Sequence, residues 1–235
     1  MDVYTGLMEA MNSEYELVRR LREGERGSVS LVRHARSGRR YILRLFPGCG
    51  DGCRRLLSLS CPHLPLIYEV CEHGGSTAVL EEYVQGDTLS YILECGPLPA
   101  REARDIALQL CRALWALHSV GAVHRDIKPG NVIMRGDEAV LVDFDALRVY
   151  KCGQDGDTRA LGTVGYAAPE QYGICQSDPR SDIYSLGVLL NVMLTGRHPS
   201  QAPAGGSLGR VVQHCTMTNP RKRYRDVLRL MEALS

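Results

Sequence analysis

The spacing of apolar positions changes once along this chain. In residues 15–84 it alternates in short runs: Tyr15-Glu16-Leu17-Val18, then 28–32, 41–46, 64–70 and 77–84. Turn formers separate the runs (Gly24 with Gly27, Ser37-Gly38, His73-Gly74-Gly75), which predicts a small antiparallel sheet. Within it only Arg54-Arg55-Leu56-Leu57-Ser58-Leu59 offers a short helix. Residues 1–14 carry weak helical spacing (Leu7, Met8, Met11) and read as an extension. From Thr88 the period becomes helical. Behind Pro99, a favoured first-turn residue, Ala103, Ile106, Ala107, Leu110, Leu114, Leu117 and His118 follow at i, i+3, i+4 spacing. Residues 181 to about 195 are apolar around most of a helical circumference, predicting a helix at the centre of a helical layer. Residues 226–234 form a third helix, and 201–206 read as a loop. A β-rich part followed by an α-rich part predicts an α+β chain of two lobes joined near Gln85-Gly86-Asp87, with a cleft as the favoured ligand site.

Composition narrows the class. The chain has 235 residues, 44% hydrophobic and 23% charged, which excludes disorder and fibrous repeats. It carries no apolar run of about eighteen residues and no basic-then-apolar leader, so the expectation is a soluble, cytoplasmic protein without a membrane partner. A net charge of +1 argues against nucleic acid as a partner. Nine cysteines without a CxxC pair suit a reducing compartment. Of the 28 basic residues only Lys128, Lys151 and Lys222 are lysines, so arginine leads 25 to 3.

Chemistry concentrates in His124-Arg125-Asp126-Ile127-Lys128-Pro129-Gly130-Asn131, followed by Asp143-Phe144-Asp145, then by Gly162-Thr163-Val164-Gly165-Tyr166-Ala167-Ala168-Pro169-Glu170 and Asp182-Ile183-Tyr184-Ser185-Leu186-Gly187. The first matches H-R-D-x-x-x-x-N, the second approaches D-F-G and the third contains A-P-E. In order and spacing the chain resembles the bacterial eukaryotic-like (Hanks-type) serine/threonine protein kinases, from about residue 15 to 234. The resemblance implies a bilobal kinase-like α+β fold: 15–84 as the small antiparallel lobe with a shortened first helix, 85–87 as hinge, 88–235 as a reduced helical lobe. It implies ATP and Mg²⁺ as cofactors and a serine- or threonine-bearing protein as partner. Phosphoryl transfer asks a protein to hold metal and phosphates and to orient a hydroxyl. Asp126 is the candidate base or orienter. Lys128 would neutralise charge developing on the transferred group, and by likeness marks serine/threonine specificity. Asn131 and Asp143 are the hard oxygen donors for Mg²⁺.

The first lobe departs from the pattern. Against G-x-G-x-x-G-x-V the chain reads Arg22-Glu23-Gly24-Glu25-Arg26-Gly27-Ser28-Val29, keeping Gly24, Gly27 and Val29 as nucleotide-side candidates. Against V-A-I-K it reads Tyr41-Ile42-Leu43-Arg44, so an arginine stands where the phosphate-pairing lysine is expected. A guanidinium grips phosphate through two nitrogens, but the exchange is equally the mark of compositional drift or of lost activity. No glutamate lies between Arg44 and Pro62; Asp51 is the sole acid there. In Leu80-Glu81-Glu82-Tyr83-Val84, likeness to the hinge strand places Glu81, Glu82 and Val84 beside the nucleotide, and Glu81 becomes the candidate partner of Arg44, the alternative being a carboxylate that reaches solvent. A pseudokinase, an interaction module with or without nucleotide, is therefore the rival reading.

Residues 143–170 correspond to the activation segment. Thr158 is the candidate autophosphorylation site, Thr163 the threonine that orders the catalytic loop, and Glu170 with Arg223 a structural ion pair, all by likeness. Asp145 replaces the glycine of D-F-G, and a left-handed backbone there is expected to be tolerated. Cys49, Cys53, Cys61 and His63 offer four soft ligands for zinc at a non-standard spacing, with free thiols as the alternative.

Overall fold

Alternation in the first part builds a sheet, as expected. The computed structural model describes residues 13–25, 27–149, 163–172 and 178–235. Strands β1 (Tyr15–Gly24), β2 (Gly27–His34) and β3 (Arg40–Pro47) are followed by a helix of six residues, α1 (Asp51–Leu56), then by β4 (Ile67–His73) and β5 (Ser76–Glu82). All neighbours pair antiparallel in the order β1-β2-β3-β5-β4. The β4–β5 turn falls at Gly74-Gly75, both at positive φ, which glycine accepts without strain. Strand β1 runs to Gly24, beyond the four residues its alternation revealed. Register shifts between Leu17 and Arg19 and between Arg20 and Arg22 break its period, and nearly all of it is exposed.

Both faces of the sheet bury apolar side chains. On one, Val32, Leu43, Cys71, Ala78 and Leu80 pack with Tyr15, Tyr41 and Leu45. On the other, Val29, Leu31 and Ile42 pack with Tyr83. The register puts Arg44 and Glu81 on the second face, because Val29 lies opposite Arg44 and Ile42 opposite Glu81. This unit comprises the chain up to Ser60 with Pro65–Val84.

The second unit contains Cys61–Leu64 and everything from Gln85. Short strands β6 (Asp87–Thr88), β7 (Ala122–Val123), β8 (Val132–Arg135), β9 (Glu138–Leu141) and β10 (Arg148–Val149) form two small sheets, β6-β8-β9 and β10-β7. Helix α2 (Leu89–Leu93) precedes α3 (Ala100–Ser119), whose predicted stripe is fully buried from Ala103 to Leu117. Helix α4 (Pro179–Thr195) starts under the Asp178 cap with Pro179 in its first turn and ends at left-handed Gly196. It is buried around its circumference, as its composition predicts.

The loop expected at 201–206 ends one residue early. Helix α5 (Gly206–Cys215) begins there, and the sequence reading missed it. Gly209 sits inside α5 because a side chain there would collide with the Ala204 carbonyl oxygen. Helix α6 (Val227–Leu234) closes the chain, capped by Asp226, whose carboxylate accepts from the Arg229 amide at 3.0 Å. Among the described residues no helix is long and apolar enough to cross a membrane.

Candidate active site

The segment after β7 is held from below by a single carboxylate. Asp182, fully buried on α4, accepts from the backbone N–H of His124 at 3.0 Å and of Arg125 at 2.8 Å, and lies 2.8 Å from His118 Nε2 on α3. Burial alone would push this carboxyl up; the His118 hydrogen bond and charge, with His124 and the Arg125 amide, hold it net below the usual carboxylate range. A second brace is Gln171, which accepts from Ala168 N and donates to the Arg125 carbonyl, both at 2.9 Å. Between these braces Arg125 adopts φ +70°, a left-handed conformation costly for a long side chain. The sequence reading gave Asp182 and Gln171 no role. Their signals were a carboxylate opening an otherwise apolar helix and an amide beside Glu170.

Asp126 then projects from this base, and Lys128, Asn131 and Thr163 converge on it. Its Oδ1 accepts from Thr163 Oγ1 at 2.7 Å and Thr163 N at 3.1 Å. Its Oδ2 accepts from Lys128 Nζ at 2.7 Å and Asn131 Nδ2 at 3.0 Å. Lys128 also donates to Thr163 Oγ1 at 2.7 Å, closing the ring. Partial burial raises the Asp126 carboxyl, but the Lys128, Thr163 and Asn131 hydrogen bonds outweigh it and leave the group below the usual range, hence ionised at neutral pH. His124 sits underneath with Nδ1 accepting from Asp126 N at 3.3 Å and Nε2 facing the Val142 carbonyl at 3.3 Å. Burial, the largest influence, lowers its pKa and keeps it neutral.

Asn131 closes the short 3₁₀ turn Pro129–Asn131, and its amide nitrogen also donates to the Asp126 carbonyl at 2.9 Å. With both amide hydrogens spent on Asp126, the side-chain oxygen is the atom it offers a cation. Asp143 follows β9 at φ +71°, and its Oδ1 accepts from Asp145 N at 3.4 Å. The left-handed residue is therefore Asp143, not Asp145 as expected; Asp145 lies inside the 3₁₀ turn Phe144–Ala146. Phe144 is buried edge-on against the His124 ring, centroids 5.8 Å apart. A carboxylate and an amide oxygen are the hard donors Mg²⁺ takes, so these residues fit that ion.

Glu170 and Arg223 form a bidentate pair at 2.6 and 2.8 Å, with Ser181 Oγ donating to Glu170 Oε1 at 2.8 Å and the guanidinium over the Tyr184 ring. Thr158 lies outside the described residues.

In the first unit, Arg44 Nε donates to Glu81 Oε1 at 2.8 Å. The carboxylate does not reach solvent: the two side chains are 7% and 4% exposed. Gly27 is at φ +114°, and any side chain there would strike the Leu45 carbonyl oxygen; Gly24 has open space around its Cα. Packing thus demands glycine at 27, whereas nothing around Gly24 excludes a side chain. Val29 and Val84 are buried, and Glu82 Oε2 accepts from Leu66 N at 3.1 Å.

Comparison with known proteins agrees with this geometry. The protein kinase domain family matches residues 15–227. The chain belongs to the protein kinase family. This kinase-family chain is 31% identical over 212 residues to serine/threonine-protein kinase pkn2 of Myxococcus xanthus, covering 82% of the chain and 26% of that protein. It is 36% identical over 149 residues to serine/threonine-protein kinase PknL of Mycobacterium tuberculosis, 62% of the chain and 37% of the relative. It is 31% identical over 196 residues to serine/threonine-protein kinase PknA of a Nostoc species, 73% of the chain and 35% of the relative. The chain thus spans about a quarter to two fifths of the length of these relatives.

Of the candidate zinc ligands, Cys49 and Cys53 belong to the first unit of this kinase-family chain and Cys61 and His63 to the second. Cys53 is buried, with burial raising its thiol to about 11, and His63 Nδ1 is engaged by the Ala139 carbonyl at 3.0 Å. Among the described residues the cluster of potential ligands is Cys49, Asp51 and Glu72. Glu72 there already accepts from Gly50 N at 2.6 Å and pairs with Arg54 at 3.3 Å.

Proposed function

We propose that this chain is an ATP- and Mg²⁺-dependent serine/threonine protein kinase that moves the γ-phosphoryl group to a protein hydroxyl. The observation that carries the reading is the closed ring of Asp126, Lys128, Thr163 and Asn131. A carboxylate that accepts four hydrogen bonds and stays ionised is a poor proton sink and a good orienter of an incoming hydroxyl. Lys128, already at the carboxylate, supplies positive charge beside the position of the transferring group. Asn131 and Asp143 would hold Mg²⁺, which supplies charge neutralisation at the phosphates when bound. Arg44 replaces the expected lysine as the cation for the phosphates, with Gly24, Gly27, Val29, Glu82 and Val84 as the other nucleotide-side residues. The substrate is a serine or threonine of another protein or of the chain itself, Thr158 being the candidate. The cytoplasm is the proposed compartment, supported by the reduced cysteines among the described residues.

Arg44 also favours the rival, a pseudokinase that binds partners without transferring phosphate. Incubation with radiolabelled ATP and Mg²⁺, beside an Asp143→Asn control, separates the two. The kinase reading expects label on the chain or on a generic protein substrate, lost in the control. Absence of label from both the native chain and the substrate would overturn it.

A further inference from the structure

We infer that Glu81, a residue of strand β5, positions the Arg44 guanidinium for the phosphates of the nucleotide, so that helix α1 contributes no charge to the site. This rests on the reading of ATP as substrate. The pair is built by the sheet itself: Arg44 lies opposite Val79, and Glu81 is two residues further along β5 on the same face. Such diagonal neighbours are within reach of long side chains. The Nε–Oε1 distance is 2.8 Å with both groups buried, and a buried carboxylate is stable only beside such a partner.

The helix supports the assignment by what it presents. Of its six residues, Cys53 and Leu56 are the buried ones, and its sole acid, Asp51, is exposed. Cys53 is in electrostatic reach of the pair. After burial, the Glu81 charge is the next influence raising its thiol pKa, and Arg44 opposes it. The buried side chains of α1 are thus a thiol and a leucine, and the acid that pairs with Arg44 comes from β5. Arginine suits this arrangement better than lysine. A guanidinium holds a carboxylate through one nitrogen and an oxyanion through others, whereas an ammonium brings both to a single atom. The β3–β5 ladder then fixes the cation, and a shift of α1 does not release it.

Titration calorimetry of Mg·ATP and of adenosine against the native chain, Glu81→Gln and Asp51→Asn tests this, with thermal melts confirming that each variant folds. The expected result is a loss of about tenfold or more in Mg·ATP affinity for Glu81→Gln, a change under about twofold for adenosine, and native values for Asp51→Asn. If Glu81→Gln does not fold, Glu81→Asp is measured instead, with a smaller loss expected, again confined to ATP. Equal losses for ATP and adenosine, no loss at all, or a loss of ATP affinity in Asp51→Asn would overturn the proposal. So would a native chain that binds ATP no better than adenosine. A native chain that prefers ATP but transfers no phosphate overturns the kinase reading and leaves the role of Glu81 standing.

Discussion

At the scale of single residues, the site is a problem of holding one carboxylate. Thr163 contributes two of the four hydrogen bonds to Asp126, one from its hydroxyl and one from its backbone. Thr163→Val removes the first and keeps the second. A hydrogen bond to a charged group is worth roughly 1.5–3 kcal/mol, so kcat is expected to fall about 10- to 100-fold. Thr163→Ser, which keeps the hydroxyl, should retain most of the rate. Equal rates for valine and serine variants, in the labelled-ATP assay, would show that Thr163 serves only the backbone. Asp126→Asn leaves an amide where the ionised orienter stood, and the expected loss is about 10²- to 10⁴-fold. Asp126 was legible from the sequence because H-R-D-x-x-x-x-N packs its chemistry into eight positions, and Thr163 through the likeness of the segment that ends in A-P-E. The positive φ of Arg125 was not legible, since the braces on it come from distant Asp182 and Gln171, and that of Asp143 was not, since the sequence offered Asp145, two residues on, as the left-handed aspartate.

At the scale of elements, what the sequence revealed tracks the length of each period. The twenty residues of α3 show one apolar face plainly and the seventeen of α4 an apolar circumference, and strands of eight residues show their alternation. Strands β6, β7 and β10 have two residues each, too few for any period, and exist through pairing with distant partners. Helix α5 was readable in principle, with Leu208, Val211, Val212 and Cys215 at helical spacing, but Gly205, Gly206 and Gly209 masked it. The glycines of this region record close packing. A Cβ on Gly187 of α4 would overlap Cys215 Cβ at the end of α5. Gly187→Ala gains about 1 kcal/mol of helix propensity but incurs overpacking of roughly 1–3 kcal/mol against an atom that cannot swing aside. The clash should win, and the melting temperature should fall; a rise would show that α5 yields freely. Glu170→Gln strands the buried Arg223 guanidinium and is expected to cost about 3–5 kcal/mol, read by chemical denaturation.

At the scale of the whole molecule, the buried titratable groups set how stability follows pH, and the sign differs between two windows. His124 and His63 both have pKa values lowered chiefly by burial, so the folded chain keeps them neutral where the unfolded chain would protonate them. The unfolded state then binds more protons below the ordinary histidine value of about 6.5, and stability falls as pH drops from there towards the lowered values. Each histidine contributes a slope of at most about 1.4 kcal/mol per pH unit. Asp182 and Asp126 act in a lower window. Their folded values lie below the ordinary carboxylate value, so the stability they add is complete above that value and is lost as pH falls through the depressed ones. Two successive declines are therefore expected on acidification, the first beginning below about pH 6.5, the second below about pH 4. Melting temperatures across this range test the assignment through His63→Gln, since glutamine has no titrating ring and can still donate to the Ala139 carbonyl. The variant should show a shallower first decline and an unchanged second one. A first decline as steep as in the native chain would remove His63 from the account and leave His124 as the histidine that carries it.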